Sequence, residues 1–296
     1  MVGPATQSDD FLVDITSYQR WKNARLENCP HSVDELIVEI GGLVDLSGDE
    51  KASIIRRCLR SNMAIYRCRD RFVDRAAVRT FAANFGLRHA DHHLCANDDG
   101  VSELSVASDG ARSGYVPYSN RSLSWHTDGY YNKKSRQVNA VVLHCAANAV
   151  KGGENALLDP EIAYIRLRDE DPRFVTAFEH PECMTIPANT SAEGEIRAEV
   201  TGPVFSYDSS GVIHMRYSAR KRNIRWRDDV LTTAARDFLT EILADERAPV
   251  FHYRLQPGEG LISNNVLHNR TAFEDDSTHN RLLYRARFFD RIESTC

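Results

Sequence analysis

The chain has 296 residues, of which 42% are hydrophobic and 27% are charged, an ordinary composition for a globular protein. Its formal net charge is −5, from 42 acidic and 37 basic residues, and this mild acidity argues against a nucleic-acid-binding protein. No apolar run approaches the roughly 20 residues that span a bilayer, so we expect no membrane segment.

The N-terminal residues and the cysteines favour a cytoplasmic protein. The first residues, MVGPATQSDDFLVD, have neither the basic region nor the apolar region of a secretory signal. We expect free thiols in a reducing compartment rather than disulfides or a zinc ribbon, because the cysteines are odd in number, widely spaced and without a CxxC pair. The seven cysteines are Cys29, Cys58, Cys68, Cys95, Cys145, Cys183 and Cys296.

The first third of the chain predicts an irregular lead-in followed by helices and strands. Residues 1–33 are polar and form the predicted lead-in, and one domain is predicted over 34–296. Ser47 can cap a helix, and Glu50 stands in the capping-box position behind it. The predicted elements are a strand at 34–40, a helix at 47–61, a strand at 63–68 and a helix at 74–86 that ends at Gly86.

From about residue 101 the sequence takes on β character. Short runs rich in β-branched and aromatic residues alternate with turn signals such as KGGEN and QPGEG. Two helical stretches interrupt them, around 160–179 and 228–247. The pattern predicts an α+β protein with a jelly-roll core, also called a double-stranded β-helix, and with helices packed around it.

The segment SLSWHTDGYYN, residues 122–132, carries the first candidate site. Side chains two apart in a strand point to the same side, so His126 and Asp128 would aim at one point. His268 follows an apolar run, and a jelly roll can return it beside that pair. Two neutral imidazoles and a carboxylate form a facial triad that suits Fe(II) and leaves positions open for an organic acid and O2. Zinc hydrolases use similar sets, but their HExxH signature is absent.

The segment NRLLYRARFFD, residues 280–290, supplies candidate cations. Arg281, Arg285 and Arg287 are all odd-numbered, so in a regular strand they share one face. A triad oxygenase needs a two-electron donor, and an arginine would suit the distal carboxylate of 2-oxoglutarate. The alternative is a basic edge strand that faces solvent.

Three motifs together resemble the TauD/TfdA family of Fe(II)/2-oxoglutarate dioxygenases, which includes taurine, butyrobetaine and glutarate hydroxylases. They are HTD at 126–128, HNR at 268–270 and RxxxR at 281–285. The resemblance runs from about residue 35 to 291, and GGENALLD at 152–159 matches the Gly-Gly-acid loop of the family. The segments GPVFSYDSSGVIHMRYSAR, LISNNVLHNRTAF and RLLYRARFF look closest to the glutarate-hydroxylase branch.

The resemblance implies a role for each motif residue. It implies His126, Asp128 and His268 as iron ligands. Arg281 would hold the C5 carboxylate of 2-oxoglutarate, and Arg285 would face an acidic group of the substrate or share in binding the co-substrate. The further candidates are Asn155, where relatives often have a threonine that contacts 2-oxoglutarate, and Tyr130, Tyr131, Arg287 and His92 on the substrate side.

His92 lies in RHADHHLCANDDG, for which a polar loop is the competing interpretation. A second metal site among His89, His92, His93 and Cys95 is a further, less favoured alternative.

The implied activity is hydroxylation of an unactivated C–H bond in a small polar metabolite or amino acid that carries a carboxylate or sulfonate. The reaction would use Fe(II), 2-oxoglutarate and O2, and would release succinate and CO2. Halogenation is disfavoured because related halogenases lack the carboxylate that Asp128 provides. The alternatives are desaturation or cyclisation, a non-catalytic metal- and anion-binding jelly roll, and a zinc hydrolase. We expect a homodimer or homotetramer, with no nucleic-acid or membrane partner.

Overall fold

The computed structural model describes residues 14–70, 73–92, 97–107, 115–191, 194–220, 222, 224–245 and 249–293. Its α-helices are α1 (Ile15–Glu27), α2 (Gly48–Ser61), α3 (Arg75–Ala83), α4 (Pro160–Glu170), α5 (Pro172–Glu179) and α6 (Val230–Ala244). Its strands are β1 (Ile37–Ile40), β2 (Met63–Cys68), β3 (Val101–Leu104), β4 (Leu123–His126), β5 (Ala140–Ala147), β6 (Lys151–Gly152), β7 (Asn155–Leu158), β8 (Met184–Ile186), β9 (Asn189–Ser191), β10 (Gly194–Arg197), β11 (Val200–Gly202), β12 (Phe205–Tyr207), β13 (Ile213–Met215), β14 (Arg225–Trp226), β15 (Phe251–Tyr253), β16 (Glu259–Ser263), β17 (Leu267–Arg270), β18 (Phe273–Glu274) and β19 (Leu282–Phe288). Within these ranges no helix has the length and apolar character needed to cross a membrane.

The described residues fall into two compact units. The first, the site unit, lies within Pro30–Leu158 and Pro249–Cys296. The second, the helical unit, lies within Met1–Cys29 and Asp159–Ala248. The division of the chain at residue 34 stays a prediction. The irregular structure expected for residues 1–33 is corrected below.

The site unit is built on two main sheets. The larger sheet has the strand order β1-β2-β16-β5-β19-β3, and the smaller has the order β15-β7-β17-β4. In the larger sheet only β1 and β2 run parallel; the other neighbours are antiparallel. Helices α2 and α3 pack on one face of this sheet, where Ile54, Val78 and Phe81 join Ile262 and Phe288 in one core.

The two helices of the site unit begin where the sequence predicts. The Ser47 side chain accepts from Glu50 N, and the Glu50 carboxylate accepts from Ser47 N, which confirms the capping box. Helix α3 begins after Asp74, whose carboxylate accepts from Ala77 N. The predicted strand at 34–40 is wrong in its first half, since Val33–Leu36 forms a 3-10 turn before β1.

The helical unit corrects the expected irregular lead-in. Helix α1 occupies Ile15–Glu27 and is capped by Asp14, which accepts from two backbone N–H groups. The helix carries no marked apolar stripe, which is why its sequence reads as a loop. Instead, Arg25 forms ion pairs of 2.6 Å with both Asp159 and Glu161, and such long-range contacts leave no periodic signal in the sequence.

Two other expectations concern the helix at 160–179 and the cysteines. The helical stretch at 160–179 is divided into α4 and α5, because Pro172 has no N–H to continue a helix and Asp171 caps the next one. No disulfide joins the five described cysteines, Cys29, Cys58, Cys68, Cys145 and Cys183.

A buried tyrosine–histidine pair lies inside the larger sheet. Tyr66 on β2 and His144 on β5 are fully buried, with 3.2 Å between Tyr66 Oη and His144 Nδ1. Gly260 on β16 lies between them, and a Cβ there would come within 2.2 Å of Tyr66 Oη, so only glycine fits. Burial lowers the pKa of His144 to about 4, and its Nε2 has no hydrogen-bond partner among the described residues. The ring is therefore neutral at physiological pH.

We expect His144→Gln to flatten the pH dependence of stability. In the unfolded chain the imidazole takes up a proton near pH 6.5, but in the folded protein only near pH 4. The wild-type free energy of unfolding should therefore fall as the pH drops through this window, by about 3 kcal/mol more than that of the variant. Urea denaturation at a series of pH values measures the difference. Tyr66→Phe, which keeps the titrating ring, is the control and should retain the wild-type slope; equal slopes for His144→Gln and wild type would refute this assignment.

Candidate metal centre

Strands β4 and β17 bring two histidines together in the smaller sheet. They pair antiparallel with His126 directly opposite His268, and the two ring centroids are 4.3 Å apart. Directly opposed residues in a sheet project on the same face, so both imidazoles are presented to one point. The sequence predicted this meeting, although the two residues lie in distant segments.

The hydrogen bonds of both rings leave the same nitrogen available. His126 Nδ1 lies 2.8 Å from Ser124 O, and His268 Nδ1 lies 2.9 Å from Val266 O. A carbonyl oxygen only accepts, so each ring donates from Nδ1, and the neutral ring with this tautomer has its lone pair on Nε2. Burial and the neighbouring His268 lower the pKa of His126 to about 3, which keeps that ring neutral. Neutral imidazoles held by backbone carbonyls are typical metal ligands.

Asp128 supplies a buried carboxylate. Its side chain is 4% exposed, and its Oδ1 accepts from Arg285 Nη1 at 3.0 Å. Burial favours the neutral acid, but the charges of Arg285 and Arg287 outweigh it and hold the pKa of Asp128 below its ordinary value. Asp128 Oδ2 is buried without a hydrogen-bond partner among the described residues. An ionised carboxylate with one unsatisfied oxygen fits a cation ligand.

Within the described residues, no group of three or more His, Cys, Asp or Glu side chains is already placed to hold a metal ion, and Asp128 Oδ1 is engaged by Arg285. The chemistry of the donor set fits Fe(II), because it combines two imidazoles with a carboxylate that has a spare oxygen.

Asn265 holds the Asp128 loop, a function that sequence reasoning missed. Its Oδ1 accepts from Asp128 N at 2.7 Å, and its Nδ2 donates to Asp128 O at 2.9 Å and to Val138 O at 2.7 Å. Its φ of +51° is a left-handed conformation that asparagine tolerates better than most residues. Asn265 thus ties Asp128 to the chain just before His268. The SNN triplet ahead of that histidine is the only sequence signal.

The three arginines do not lie on a solvent-facing edge. Strand β19 lies between β5 and β3, so the alternative of a basic edge strand is wrong. Arg287 is 2% exposed and donates to Asp91 Oδ2 at 2.6 Å and to Tyr131 Oη at 2.8 Å. These bonds give Arg287 an internal role and do not favour its predicted contact with the substrate.

Arg281 is separated from the other two arginines. The pairing of β19 with β5 shifts register between Leu282 and Leu283, so the regular alternation does not extend to Arg281. Its side chain packs on Phe273, with 5.0 Å from the guanidinium carbon to the ring centroid. It makes no ion pair with any described carboxylate, and burial lowers its pKa to about 10. The backbone at Gly153 lies close to this side chain, since a Cβ there would be only 3.2 Å from Arg281 Nε.

Arg270 lies near this arginine, and Asn155 lies next to Arg270. Asn155 pairs in register with Arg270, and its Nδ2 donates to Asn269 O at 2.9 Å. Arg270 also packs on Phe273, with 4.8 Å from its guanidinium carbon to the ring centroid, and it donates to the carbonyls of Ser119 and Arg121. One amide proton of Asn155 is therefore already committed to the strand pair.

The two tyrosines of the first motif have different neighbours. Tyr130 lies edge-on to His126, with 6.3 Å between ring centroids, whereas Tyr131 accepts from Arg287. His92 is exposed and lies beside Gly100, while its neighbour Asp91 is the residue of that segment that reaches the arginines. Asp91 was missed, and His93 and Cys95 lie outside the described residues.

Comparison with known proteins identifies the family. Residues 41–287 match the profile of the taurine catabolism dioxygenase TauD, TfdA family. The chain belongs to this family. The resemblance read from the three motifs is thereby confirmed, as is the predicted jelly-roll fold class, which the solved structures below share.

Individual relatives are more distant. A uridine-5'-phosphate dioxygenase from Amycolatopsis sp is 30% identical over 172 residues, which cover 55% of this chain and 59% of that protein. This chain therefore matches less than two thirds of the length of that relative. An asparagine oxygenase solved with Fe(II), 2S,3S-3-hydroxyasparagine and succinate covers 93% of this chain and 92% of its own, with 14% identity and a TM-score of 0.54. The oxygenase OrfP, solved with Fe, succinate and (3R,4R)-dihydroxy-L-Arg, covers 82% and 81%, with 16% identity and a TM-score of 0.59.

We expect Asn265→Asp to weaken metal binding more than the same change at Asn264. Asn264 makes comparable buried bonds, to Asn62 and Ile292, but none to Asp128. Each variant removes amide donors from buried carbonyls or amides and should lose about 1–3 kcal/mol of stability. Only Asn265→Asp should also lower the affinity for Co(II), measured by calorimetry. Equal Co(II) affinity of the two variants would show that the bonds from Asn265 to Asp128 do not support the metal ligand.

Proposed function

We propose that this protein is an Fe(II)/2-oxoglutarate-dependent dioxygenase that hydroxylates an unactivated C–H bond of a small anionic metabolite, releasing succinate and CO2. The observation that carries the proposal is the register of His126 with His268, with the unsatisfied oxygen of Asp128 as third donor. These three residues would hold the iron. The bound iron and co-substrate supply the oxidising power, and the chain supplies binding and orientation.

Arg281 would bind the distal carboxylate of 2-oxoglutarate. It is a buried guanidinium without a carboxylate partner among the described residues, and its depressed pKa reflects a charge that its surroundings do not neutralise. A carboxylate ligand would provide that counter-charge through a bidentate pair. Arg270 adds a second positive charge near Arg281. Burial lowers the pKa of Arg270, and the charge of Arg281 lowers it further, which shows that the two guanidinium groups are close.

The chain's own groups prepare the site in three ways. Ser124 O and Val266 O fix both imidazoles in the tautomer that presents Nε2. Asn265 fixes the backbone of Asp128. Arg285 and Arg287 keep Asp128 ionised, so that no proton has to leave before the carboxylate acts as a ligand.

The substrate would carry one anionic group near Arg285. Arg287 is already engaged by Asp91 and Tyr131, so Arg285 is the remaining arginine of this pair that faces a single partner, Asp128. A carboxylate, sulfonate or phosphate meets this requirement. The relative named for uridine-5'-phosphate adds nucleoside monophosphates to the amino acids and organic acids worth testing.

Purified protein with Fe(II), ascorbate and O2 should convert 2-oxoglutarate to succinate when supplied with its substrate. The panel comprises amino acids, glutarate-like acids, taurine-like sulfonates and nucleoside monophosphates, with succinate measured by mass spectrometry. Asp128→Ala should abolish turnover, and Zn(II) should not replace Fe(II). Succinate formation that Asp128→Ala leaves intact would contradict the proposal; metal-dependent hydrolysis with Zn(II) would favour the hydrolase alternative.

Arg281→Met should raise the KM for 2-oxoglutarate by about 10- to 100-fold, the loss expected for a hydrogen bond to a charged group. Its effect on the KM for the substrate should be much smaller. Arg166→Met, which removes a partly exposed ion pair with Asp245, is the matched control. A KM for 2-oxoglutarate within error of wild type would exclude Arg281 as the carboxylate partner.

A further inference from the structure

We propose that Asp91 is a positioning residue: it draws Arg287 away from Asp128 and so leaves an oxygen of Asp128 available for the metal. The inference rests on the proposed function, since it concerns the same carboxylate. Asp91 stands outside the three motifs and has no assigned role in them.

Asp91 is a fully engaged buried carboxylate. Its side chain is 2% exposed, and its Oδ2 lies 2.6 Å from Arg287 Nη2. Its Oδ1 accepts from Arg136 Nη2 at 3.1 Å, and its Oδ2 also accepts from Asn132 Nδ2 at 3.3 Å. The backbone joins in, because Asp91 N donates to Arg287 O at 2.8 Å. A carboxylate at this depth is retained only where it is paired.

Arg287 is shared unequally between two carboxylates. Its Nη2 lies 2.6 Å from Asp91, whereas its Nη1 lies 3.6 Å from Asp128 Oδ1 and 2.8 Å from Tyr131 Oη. Arg287 therefore contributes charge to Asp128 without a close hydrogen bond, while Arg285 makes the close one. If Asp91 lost its charge, the only remaining carboxylate near Arg287 within the described residues would be that of Asp128.

The consequence follows from electrostatics. An uncompensated guanidinium in a buried site is pulled toward the nearest anion, because the low dielectric strengthens that attraction. Arg287 would then compete with the metal for Asp128, and the site would also be more positive by one charge. Both effects lower the affinity for a divalent cation, so they do not offset each other.

The test measures Co(II) binding to the full chain by calorimetry, with the visible d–d absorption as a readout of coordination. Asp91→Asn keeps the shape of the side chain and should raise the Kd by about tenfold or more, the usual effect of removing a partner behind a ligand. Arg136→Gln removes the outer, half-exposed contact to the same carboxylate. Because the Arg136 side chain is largely exposed to screening solvent, its loss should change the Kd by less than about fivefold.

Rescue separates positioning from general support of the fold. In Asp91→Asn/Arg287→Met both charges are gone, so Arg287 can no longer compete for Asp128, while the bond from Arg285 to Asp128 remains as in the wild type. The Kd should return to within about fivefold of the wild-type value, and the d–d spectrum should regain the wild-type shape. If Asp91→Asn fails to fold, as judged by thermal unfolding, this double variant alone decides. An unchanged Kd in Asp91→Asn, an equal loss in Arg136→Gln, or no recovery in the double variant would overturn the proposal. Failure of the wild type to bind Co(II) would instead overturn the proposed function, and this proposal with it.

Discussion

The pairing of β4 with β17 is the interaction on which the candidate site depends. It sets His126 opposite His268, and each ring is then fixed by a carbonyl of its own strand. Asn265, just ahead of β17, extends the same control to the Asp128 backbone. The positions of all three candidate donors are therefore fixed by one strand pair and the asparagine beside it. A site on paired strands is held more rigidly than one on loops.

Buried charge is the second constraint. Two arginines of β19 meet two carboxylates, Asp91 and Asp128, in a region from which water is largely excluded. Burying such groups is unfavourable unless each one is paired, so the set is stable only as a whole. Because β19 is an inner strand with a partner on each side, its backbone keeps these arginines in register with β5. The charge balance around Asp128 is therefore built into the larger sheet.

The sequence predicts what depends on local pattern, and it fails where distant residues decide. Ser47 and Glu50 form the expected capping box, and His126 lies opposite His268 as the two motifs predicted. Asp91 and Asn265 were missed because their partners are remote in sequence and neither lies in an alternating or helical pattern. Regular alternation also grouped Arg281 with the other arginines, but a register shift, invisible in the sequence, separates it from them.

That separation gives the arginines three different uses. Arg281 has no carboxylate partner among the described residues, Arg285 has one that a metal would also use, and Arg287 is engaged by Asp91 and Tyr131. Under the proposed function, 2-oxoglutarate would pair with Arg281, and the substrate anion would pair with the less available Arg285. In that proposal, a ligand at Arg285 would share this arginine with Asp128, so the affinity for the substrate anion and the affinity for the metal would be coupled through one carboxylate. Such coupling is reciprocal by thermodynamic necessity.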